Sequence, residues 1–228
     1  MLKVGLTGGI ASGKTTVGEM LVRLGAKLIQ ADAIAHQLMQ PGEAVYDEVV
    51  RRFGEAILNA DRTISRAKLA EAVFGASASP CRIKQLNGIV HPEVIRRQEQ
   101  WMEEVGRQRA DVVAVVEAAL ILEAGVAQRF DRLVVVTCHF EQRIERWARR
   151  LHTDLESARR EVTRRMAKQM PDDRKIQVAD QVIDNSGSLE NTERQVRAAY
   201  STLAEAAVKQ MTDAVLAGQK NKKAKHES

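Results

Sequence analysis

The stretch Gly8-Gly-Ile-Ala-Ser-Gly-Lys-Thr15 decides the fold of this chain, because it fits the pattern GxxxxGK[ST] at every fixed position. The segment before it, Leu2–Leu6, is a short apolar run typical of a buried strand. The segment after it, Gly13–Leu24, has apolar residues at helical spacing and is followed by Gly25, a residue that often ends a helix. A strand, a glycine-rich turn and a helix in this order form a phosphate-binding loop.

Each residue type in this loop has a chemical reason. Glycines let successive backbone amides approach phosphate oxygens, and a helix that begins near Gly13 adds its N-terminal amides and its dipole. Lys14 supplies a movable positive charge for the β- and γ-phosphates of ATP, and the Thr15 hydroxyl is a ligand for Mg²⁺. The alternative is an accidental glycine-rich turn, but strand and helix patterns flank the motif independently. The loop therefore predicts a site for a nucleoside triphosphate with Mg²⁺, which on its own does not separate kinases from GTPases or motor ATPases.

Further segments are predicted to be strands because they are short and mostly apolar, without regular alternation of polar residues. Helical patterns separate them, and this alternation favours an α/β fold: a P-loop NTPase with a parallel five-stranded sheet flanked by helices. The predicted strands after the first are Ala26–Ala31, Val112–Val116, Leu133–Thr137 and Gln181–Asp184.

The helices between these strands are predicted from their start signals. Asp32 is placed to cap a helix that continues to Met39, and Thr153-Asp-Leu-Glu156 fits a capping box that opens a helix through Gln169. An arginine-rich helix, Phe140–Leu151, precedes that box. A mostly helical region covers about 41–108, and a last helix covers about 188–217.

Composition and charge narrow the class of protein. The 228 residues are 44% hydrophobic, which suits one globular domain, and no apolar run approaches the ~20 residues needed to cross a bilayer. Cys81 and Cys138 form no CxxC pair, so we expect a cytoplasmic protein without a disulfide or a zinc site. The formal net charge is +5, and five lysines against two acidic residues from Lys209 onward account for +3 of it. We therefore expect one folded domain at 1–208, a basic, disordered tail at 209–228, and no binding to nucleic acid or membranes.

Other classes of phosphate-binding protein lack support in the sequence. The guanine-reading NKxD of GTPases is absent, and the one DxxG, Asp184–Gly187, lies at the last predicted strand, the wrong place for a switch. No run of apolar residues ending in Asp gives a clear Walker B strand. Instead, Glu117 and Asp32 each follow a predicted strand, where an acidic residue can hold a metal-bound water or act as a base.

Several short motifs, in the same order along the chain, resemble the dephospho-CoA kinase family. Leu6–Thr16 (LTGGIASGKTT) is similar to the phosphate loop of that family, with Thr16 as a second hydroxyl, and Ala31–His36 is similar to its DAD-x-IAH segment. Further matches are Pro41-Gly42, Phe53-Gly54, Ser65–Leu69, Val73-Phe74, His91-Pro92, Arg146 with Arg150, Arg165 with Gln169, and Ala179–Gly187. The resemblance covers roughly residues 2–200. The chain departs from the family pattern at Gln30, Arg62 and Leu151, and Glu117–Glu123 replaces the common Pro-Leu-Leu-x-Glu.

This resemblance implies ATP-dependent phosphorylation of the ribose 3′-hydroxyl of dephospho-CoA, the final step of coenzyme A synthesis. It also implies a helical CoA-side insertion at about 40–108 and a lid at about 143–170. Lys14, Asp32 and Arg146 are then the expected catalytic residues, and Thr15 and Glu117, the latter through water, the expected Mg²⁺ site. The expected ATP-binding residues are Gly8, Gly9, Ala11, Ser12, Gly13, Lys14, Thr15, Thr16, Arg146, Arg150, Arg165 and Asn185. The expected acceptor-binding residues are Asp32, His91 and Leu120.

Simpler interpretations of these residues stay open at this point. Asp32 can be a plain helix cap, and the arginines of 140–151 can form an ordinary solvated basic helix. His91 can be a structural histidine at the start of a helix, and Trp147 is expected to be a packing residue rather than a platform for adenine. Another small-molecule or nucleoside-monophosphate kinase is the alternative function, and a P-loop ATPase that acts as a switch is a third.

Overall fold

A computed structural model describes residues 1–75, 79 and 81–226 of the chain. Its contacts divide the chain into two compact units, Met1–Ile29 with Met102–Ser228, and Gln30–Trp101. Within the described residues, no helix is both long enough and apolar enough to span a membrane.

The first unit is built on a parallel five-stranded sheet, as predicted. The strands are β1 (Leu2–Gly8), β2 (Lys27–Gln30), β3 (Val113–Glu117), β4 (Arg132–Thr137) and β5 (Gln181–Asp184), in the order β2-β3-β1-β4-β5. Leu6 lies opposite Glu117, and Gly8 lies opposite Val136. This register brings the end of β3 and the end of β4 beside the start of the phosphate loop.

The helices of this unit are α1 (Lys14–Leu24), α6 (Phe140–Leu151), α7 (Leu155–Met166), α8 (Asp172–Gln177) and α9 (Leu189–His226). Of these helices, α1, α8 and α9 pack on the sheet, and α6 and α7 pack on each other. Helix α1 ends at Gly25, which has φ 116° and donates its N–H to the last carbonyls of the helix, as the sequence predicted. The main core contains Leu6, Val17, Val115, Val134 and Leu203, all fully or nearly fully buried. Helices α6 and α7 pack around Ile144, Trp147, Ala158 and Val162, together with Ile10 of the phosphate loop.

The second unit, Gln30–Trp101, is helical. It contains α2 (Ala31–Leu38), α3 (Ala44–Phe53) and α4 (Arg66–Phe74), and most of α5 (Arg82–Gln108), whose C-terminal end belongs to the first unit. Buried Leu38, Val49, Phe53, Leu69 and Val90 contribute to its interior. This unit overlaps the region, about 40–108, in which we predicted a helical CoA-side insertion.

Two predictions about helix ends differ from the structure. Helix α7 is capped by Asp154, whose side chain accepts a hydrogen bond from the Ser157 N–H at 2.8 Å, and Thr153 is not the cap. Because Thr153 and Asp154 are both good capping residues in adjacent positions, the pattern alone could not separate them. Helix α9 continues to His226, whereas we predicted its end near Ala217 and a disordered tail from residue 209. The residues after Gly218 include Lys, Gln and Ala and no proline, so nothing in them stops a helix.

Candidate active site

The phosphate loop joins β1 to α1 and has the backbone that the motif predicts. Gly8 has φ 150°, Ala11 φ 55° and Gly13 φ 97°. A Cβ on Gly8 would lie 2.2 Å from the Val136 carbonyl oxygen, and one on Gly13 would lie 2.0 Å from the Asn185 amide nitrogen. Glycine is therefore required at both positions, by backbone conformation and by space. Beside the loop, the Cys138 thiol contacts the Ala11 carbonyl oxygen at 3.8 Å, and its burial raises its pKa.

Lys14 is folded over this loop. Its Nζ donates hydrogen bonds to the carbonyl oxygens of Gly8 and Gly9, each at 3.0 Å. Neutral carbonyls are weaker partners for an ammonium than the oxygens of a phosphate. The side chain is thus held at the loop in a position from which phosphate oxygens can compete for it.

Thr15 and Glu117 supply oxygen atoms at the end of the loop. The Thr15 hydroxyl donates to Glu117 Oε1 at 2.9 Å, and Glu117, the last residue of β3, is 9% exposed. No group of three or more His, Cys, Asp or Glu side chains within the described residues could hold a metal on its own. Mg²⁺ bound with a nucleotide needs only one or two protein oxygens, because phosphates and water supply the rest. The hydroxyl and the carboxylate therefore fit a Mg²⁺ ion that arrives with ATP.

The other end of the loop is held by a buried network around the Ser12 carbonyl. Arg146 Nη1 donates to this oxygen at 3.1 Å, and the Asn185 side-chain amide donates to it at 2.9 Å. Arg146 Nη2 also donates to the Asn185 carbonyl at 2.8 Å, and the Thr192 hydroxyl donates to Asn185 Oδ1 at 2.9 Å. Both Asn185 and Thr192 are buried. The structure thus brings two of the predicted residues, Arg146 and Asn185, to the loop backbone.

Arg143 is a residue of this site to which the sequence analysis gave no role. Its side chain is only 1% exposed, it forms an ion pair with Asp172 at the start of α8, and it donates to the Cys138 carbonyl at 3.2 Å. The interpretation of α6 as an ordinary solvated helix is wrong for Arg143, although Arg149 is exposed. A signal existed in the sequence: Arg143 continues the stripe of Ile144, Trp147 and Ala148, which is the buried face of α6.

Arg150 and Arg165 both lie on Trp147. The guanidinium of Arg150 is 4.6 Å from the centre of the indole ring, and that of Arg165 is 4.7 Å away. Arg165 also pairs with Glu161 at 2.5 Å, and hydrogen bonds from Arg164 and Arg165 lower the pKa of Glu161 to about 2. Trp147 is buried in the core between α6 and α7, in agreement with the packing role that we expected. The Trp147 ring therefore holds both arginines in defined positions.

The predicted acceptor residues lie on three different elements. Asp32 is exposed in the first turn of α2, whose N-cap is Gln30 and has no capping side chain, so the plain-cap interpretation of Asp32 is wrong. His91 is exposed in the interior of α5, directly before Pro92, and the interpretation of a helix-start histidine is also wrong. Leu120 lies in the turn after β3 and is 46% exposed.

Comparison with known proteins places this arrangement in a family. The model of the dephospho-CoA kinase family matches residues 2–191. A protein of Geobacter metallireducens named dephospho-CoA kinase is 42% identical over 200 residues, which cover 88% of this chain and 96% of that protein. One of Aquifex aeolicus with the same name is 36% identical, over 89% of this chain and 98% of that protein.

Two solved structures are similar to this chain in fold. The crystal structure of TT1252 from Thermus thermophilus superposes with a TM-score of 0.72 at 34% identity, covering 89% of this chain and 97% of that one. A dephospho-CoA kinase from Campylobacter jejuni, 22% identical over 89% of this chain and 97% of that one, has the same fold, with a TM-score of 0.58. The chain belongs to the dephospho-CoA kinase family.

Proposed function

We propose that this protein transfers the γ-phosphoryl group of ATP to the ribose 3′-hydroxyl of dephospho-CoA, which yields coenzyme A and completes its synthesis. The observation that carries the proposal is a phosphate loop with Lys14, Thr15 and Glu117 in place, in a chain that matches this family over residues 2–191. We further infer that the reaction takes place in the cytoplasm, where ATP is available.

Binding of ATP begins at the loop. Phosphate oxygens replace the Gly8 and Gly9 carbonyls as partners of Lys14, whose ammonium then meets the β- and γ-phosphates. The amides of the loop and the N-terminus of α1 face the same phosphates, because anions bind at helix N-termini. The remaining residues of the loop, Gly9, Ala11, Ser12 and Gly13, act mainly through their backbone, and Thr16 offers a second hydroxyl.

Mg²⁺ fits beside Thr15 and Glu117. We infer that the Thr15 hydroxyl is a direct ligand and that Glu117 holds a water of the ion. When bound, the ion would neutralise negative charge on the β- and γ-phosphates. Glu117 also accepts the hydrogen bond of the Thr15 hydroxyl, which leaves the lone pairs of that oxygen free for a cation.

The proposed role of the arginines is to stabilise the negative charge of the transferring phosphoryl group. Arg146 is held at the Ser12 carbonyl, beside the loop, and we infer that it stabilises the charge of the transition state. Arg150 and Arg165 reach the phosphates only after leaving the Trp147 ring, as expected for a lid that closes on ATP. Asn185 fixes the loop and borders the nucleotide.

The acceptor hydroxyl needs a group that takes or orients its proton. We infer that Asp32 does this, since it is an exposed carboxylate that does not cap its helix. Leu120 offers an exposed apolar surface suited to the pantetheine arm of dephospho-CoA, and His91 offers an exposed imidazole for its polar groups.

A coupled ADP-release assay tests the proposal. The purified chain is supplied with Mg·ATP and with dephospho-CoA, adenosine or AMP as the acceptor. We expect dephospho-CoA to exceed the other two by about 100-fold or more in kcat/KM, because binding energy from the distant pantetheine arm is used in the transition state. Lys14→Ala, checked for folding by circular dichroism, is the inactive control. Equal rates with all acceptors, or without any, would contradict the proposal.

A further inference from the structure

Arg143 carries a buried positive charge, and the proposed reaction gives this residue no role. Its Nε and Nη2 donate to the Cys138 carbonyl at 3.2 Å, and Nη2 also pairs with Asp172. Its Nη1 is fully buried and has no hydrogen-bond partner among the residues that the structure describes. A buried donor without a partner is costly, so its presence needs a reason.

The reason lies in the phosphate loop, because Nη1 is directed at Gly9. A Cβ added to Gly9 would lie 1.9 Å from Nη1 of Arg143 and 3.2 Å from Oδ1 of Asp172. Gly9, unlike Gly8 and Gly13, is not among the glycines with positive φ. The guanidinium, not the backbone conformation, therefore excludes a side chain at this position of the loop.

The positive charge of Arg143 beside Gly9 has a role beyond filling space in the core. Burying a guanidinium costs desolvation free energy, and apolar residues of similar volume often replace buried ion pairs without loss of stability. Asp172 is 26% exposed and pairs with Nη2, so the buried Nη1 beside Gly9 is left without a partner among the described residues. A positive charge directly behind a loop that binds phosphates gains its value when the phosphates arrive.

We propose that Arg143 is a positioning residue for ATP: it holds Gly9 from behind, adds a fixed positive charge to the loop, and ties the loop through Asp172 to the segment that follows the lid. This inference rests on the proposed function, as far as ATP binding. Gln169, three residues before Asp172, supports the link, because its side-chain oxygen accepts a hydrogen bond from the Ile10 N–H at 3.1 Å. The segment 169–172 thus contacts the loop at two adjacent residues.

The charge of Arg143 is fixed, whereas that of Lys14 moves when ATP binds. In the structure Lys14 is the cation at the Gly8 and Gly9 carbonyls, and it leaves them when it turns to the phosphates. Arg143 stays beside Gly9 throughout, because it is locked by Cys138 and Asp172. The loop therefore keeps a cation at Gly9 in both states.

The test is Arg143→Gln, with Arg149→Gln, an exposed arginine of the same helix, as the matched control. Calorimetry measures the Kd for ATP, and steady-state kinetics measure kcat and both KM values. We expect the Kd and KM for ATP to rise by about tenfold or more, the size of one charge-assisted interaction, with a KM for dephospho-CoA within about twofold of wild type. Arg149→Gln should leave all of these unchanged. Unchanged ATP affinity in Arg143→Gln would overturn the proposal.

A second variant separates positioning from folding. Arg143→Gln alone leaves Asp172 without its partner, so the double variant Arg143→Gln/Asp172→Asn should recover the melting temperature. We expect the double variant to keep the weakened ATP binding. Recovery of wild-type ATP affinity together with stability would show a purely structural role and overturn the proposal. ATP binding without transfer to dephospho-CoA in the wild-type chain would instead refute the proposed function and leave this inference standing.

Discussion

The Thr15 hydroxyl donates a hydrogen bond to Glu117 at 2.9 Å and thereby joins the end of the phosphate loop to the end of β3. The two residues are 102 positions apart in the chain, and the parallel register of β1 with β3 brings them together. Through this pair, the loop and the sheet place a hydroxyl oxygen and a carboxylate side by side.

Glu117→Gln tests the role of this pair in holding Mg²⁺. The amide can still accept the Thr15 hydrogen bond, but the negative charge is lost. We expect the Mg²⁺ concentration for half-maximal activity to rise by about 10- to 100-fold, as when groups that orient metal ligands are removed. A Mg²⁺ titration at saturating ATP measures this, with Glu19→Gln, an exposed glutamate of α1, as the control. If wild type, Glu117→Gln and Glu19→Gln all show the same Mg²⁺ dependence, Glu117 does not take part in the metal site.

Thr192→Val tests the network that holds Ser12. Valine keeps the shape of threonine but cannot donate to Asn185, whose side-chain oxygen is then buried without this partner. We expect a loss of about 1–3 kcal/mol in the free energy of unfolding. A several-fold rise in the KM for ATP should accompany it, because Asn185 holds the loop. Thermal unfolding and kinetics check both, and Thr202→Val, an exposed threonine of the same helix, is the control. A stability loss without any change in the KM for ATP would show that the network does not act on the loop.

Asp32→Asn separates chemistry from binding. If Asp32 takes or orients the proton of the 3′-hydroxyl, kcat should fall by ~10²-fold or more, since general-base catalysis contributes at least that. ATP binding, measured by calorimetry without acceptor, should change by less than about 1 kcal/mol, because the loop is intact. Asp47→Asn is the matched control, since Asp47 is also an exposed aspartate in the first turn of a helix. An unchanged kcat would eliminate the base role, and a loss of ATP affinity equal to the loss of rate would assign Asp32 to the Mg²⁺ shell.

Truncation after Val208 tests whether the end of α9 belongs to the site. Ala207 is fully buried and Val208 is 47% exposed, and no side chain from Val208 to Ala217 is buried. The helix beyond Val208 therefore makes no core contact over that range. We expect kcat and both KM values of the truncated chain to stay within about twofold of wild type. A large rise in either KM would place the basic end of the helix in a binding site.

Much of the fold could be predicted because its signals are local. The apolar runs of β3 and β4 and the glycines at positions 8, 13 and 25 each follow from the residues around them. Helix starts were harder where two capping residues adjoin, as at Thr153 and Asp154. The continuation of α9 past Ala217 was missed because lysine-rich ends were expected to be disordered, although lysine and alanine favour helices.

Residues of the candidate site could be predicted only where they belong to a recognisable sequence motif. Lys14 and Thr15 come from the loop pattern, and Arg146 and Asn185 from the family resemblance. The stripe of α6 marks the buried face on which Arg143 lies, but the pairing of Arg143 with Asp172, 29 residues further along the chain, could not be assigned. Thr192 acts through Asn185, and no short pattern marks a hydroxyl that supports another side chain. Contacts between distant segments are set by tertiary packing, which periodicity does not encode.

The position of the transferred phosphate tests the central claim most directly. The chain is incubated with Mg·ATP and dephospho-CoA, and the product is purified and examined by phosphorus–proton correlation NMR. We predict one new phosphomonoester, coupled to the ribose H3′ proton, in a product identical to authentic coenzyme A, with one ADP formed for each. A phosphate on the 2′-hydroxyl or on the pantetheine arm, or release of inorganic phosphate with dephospho-CoA unchanged, would contradict the account.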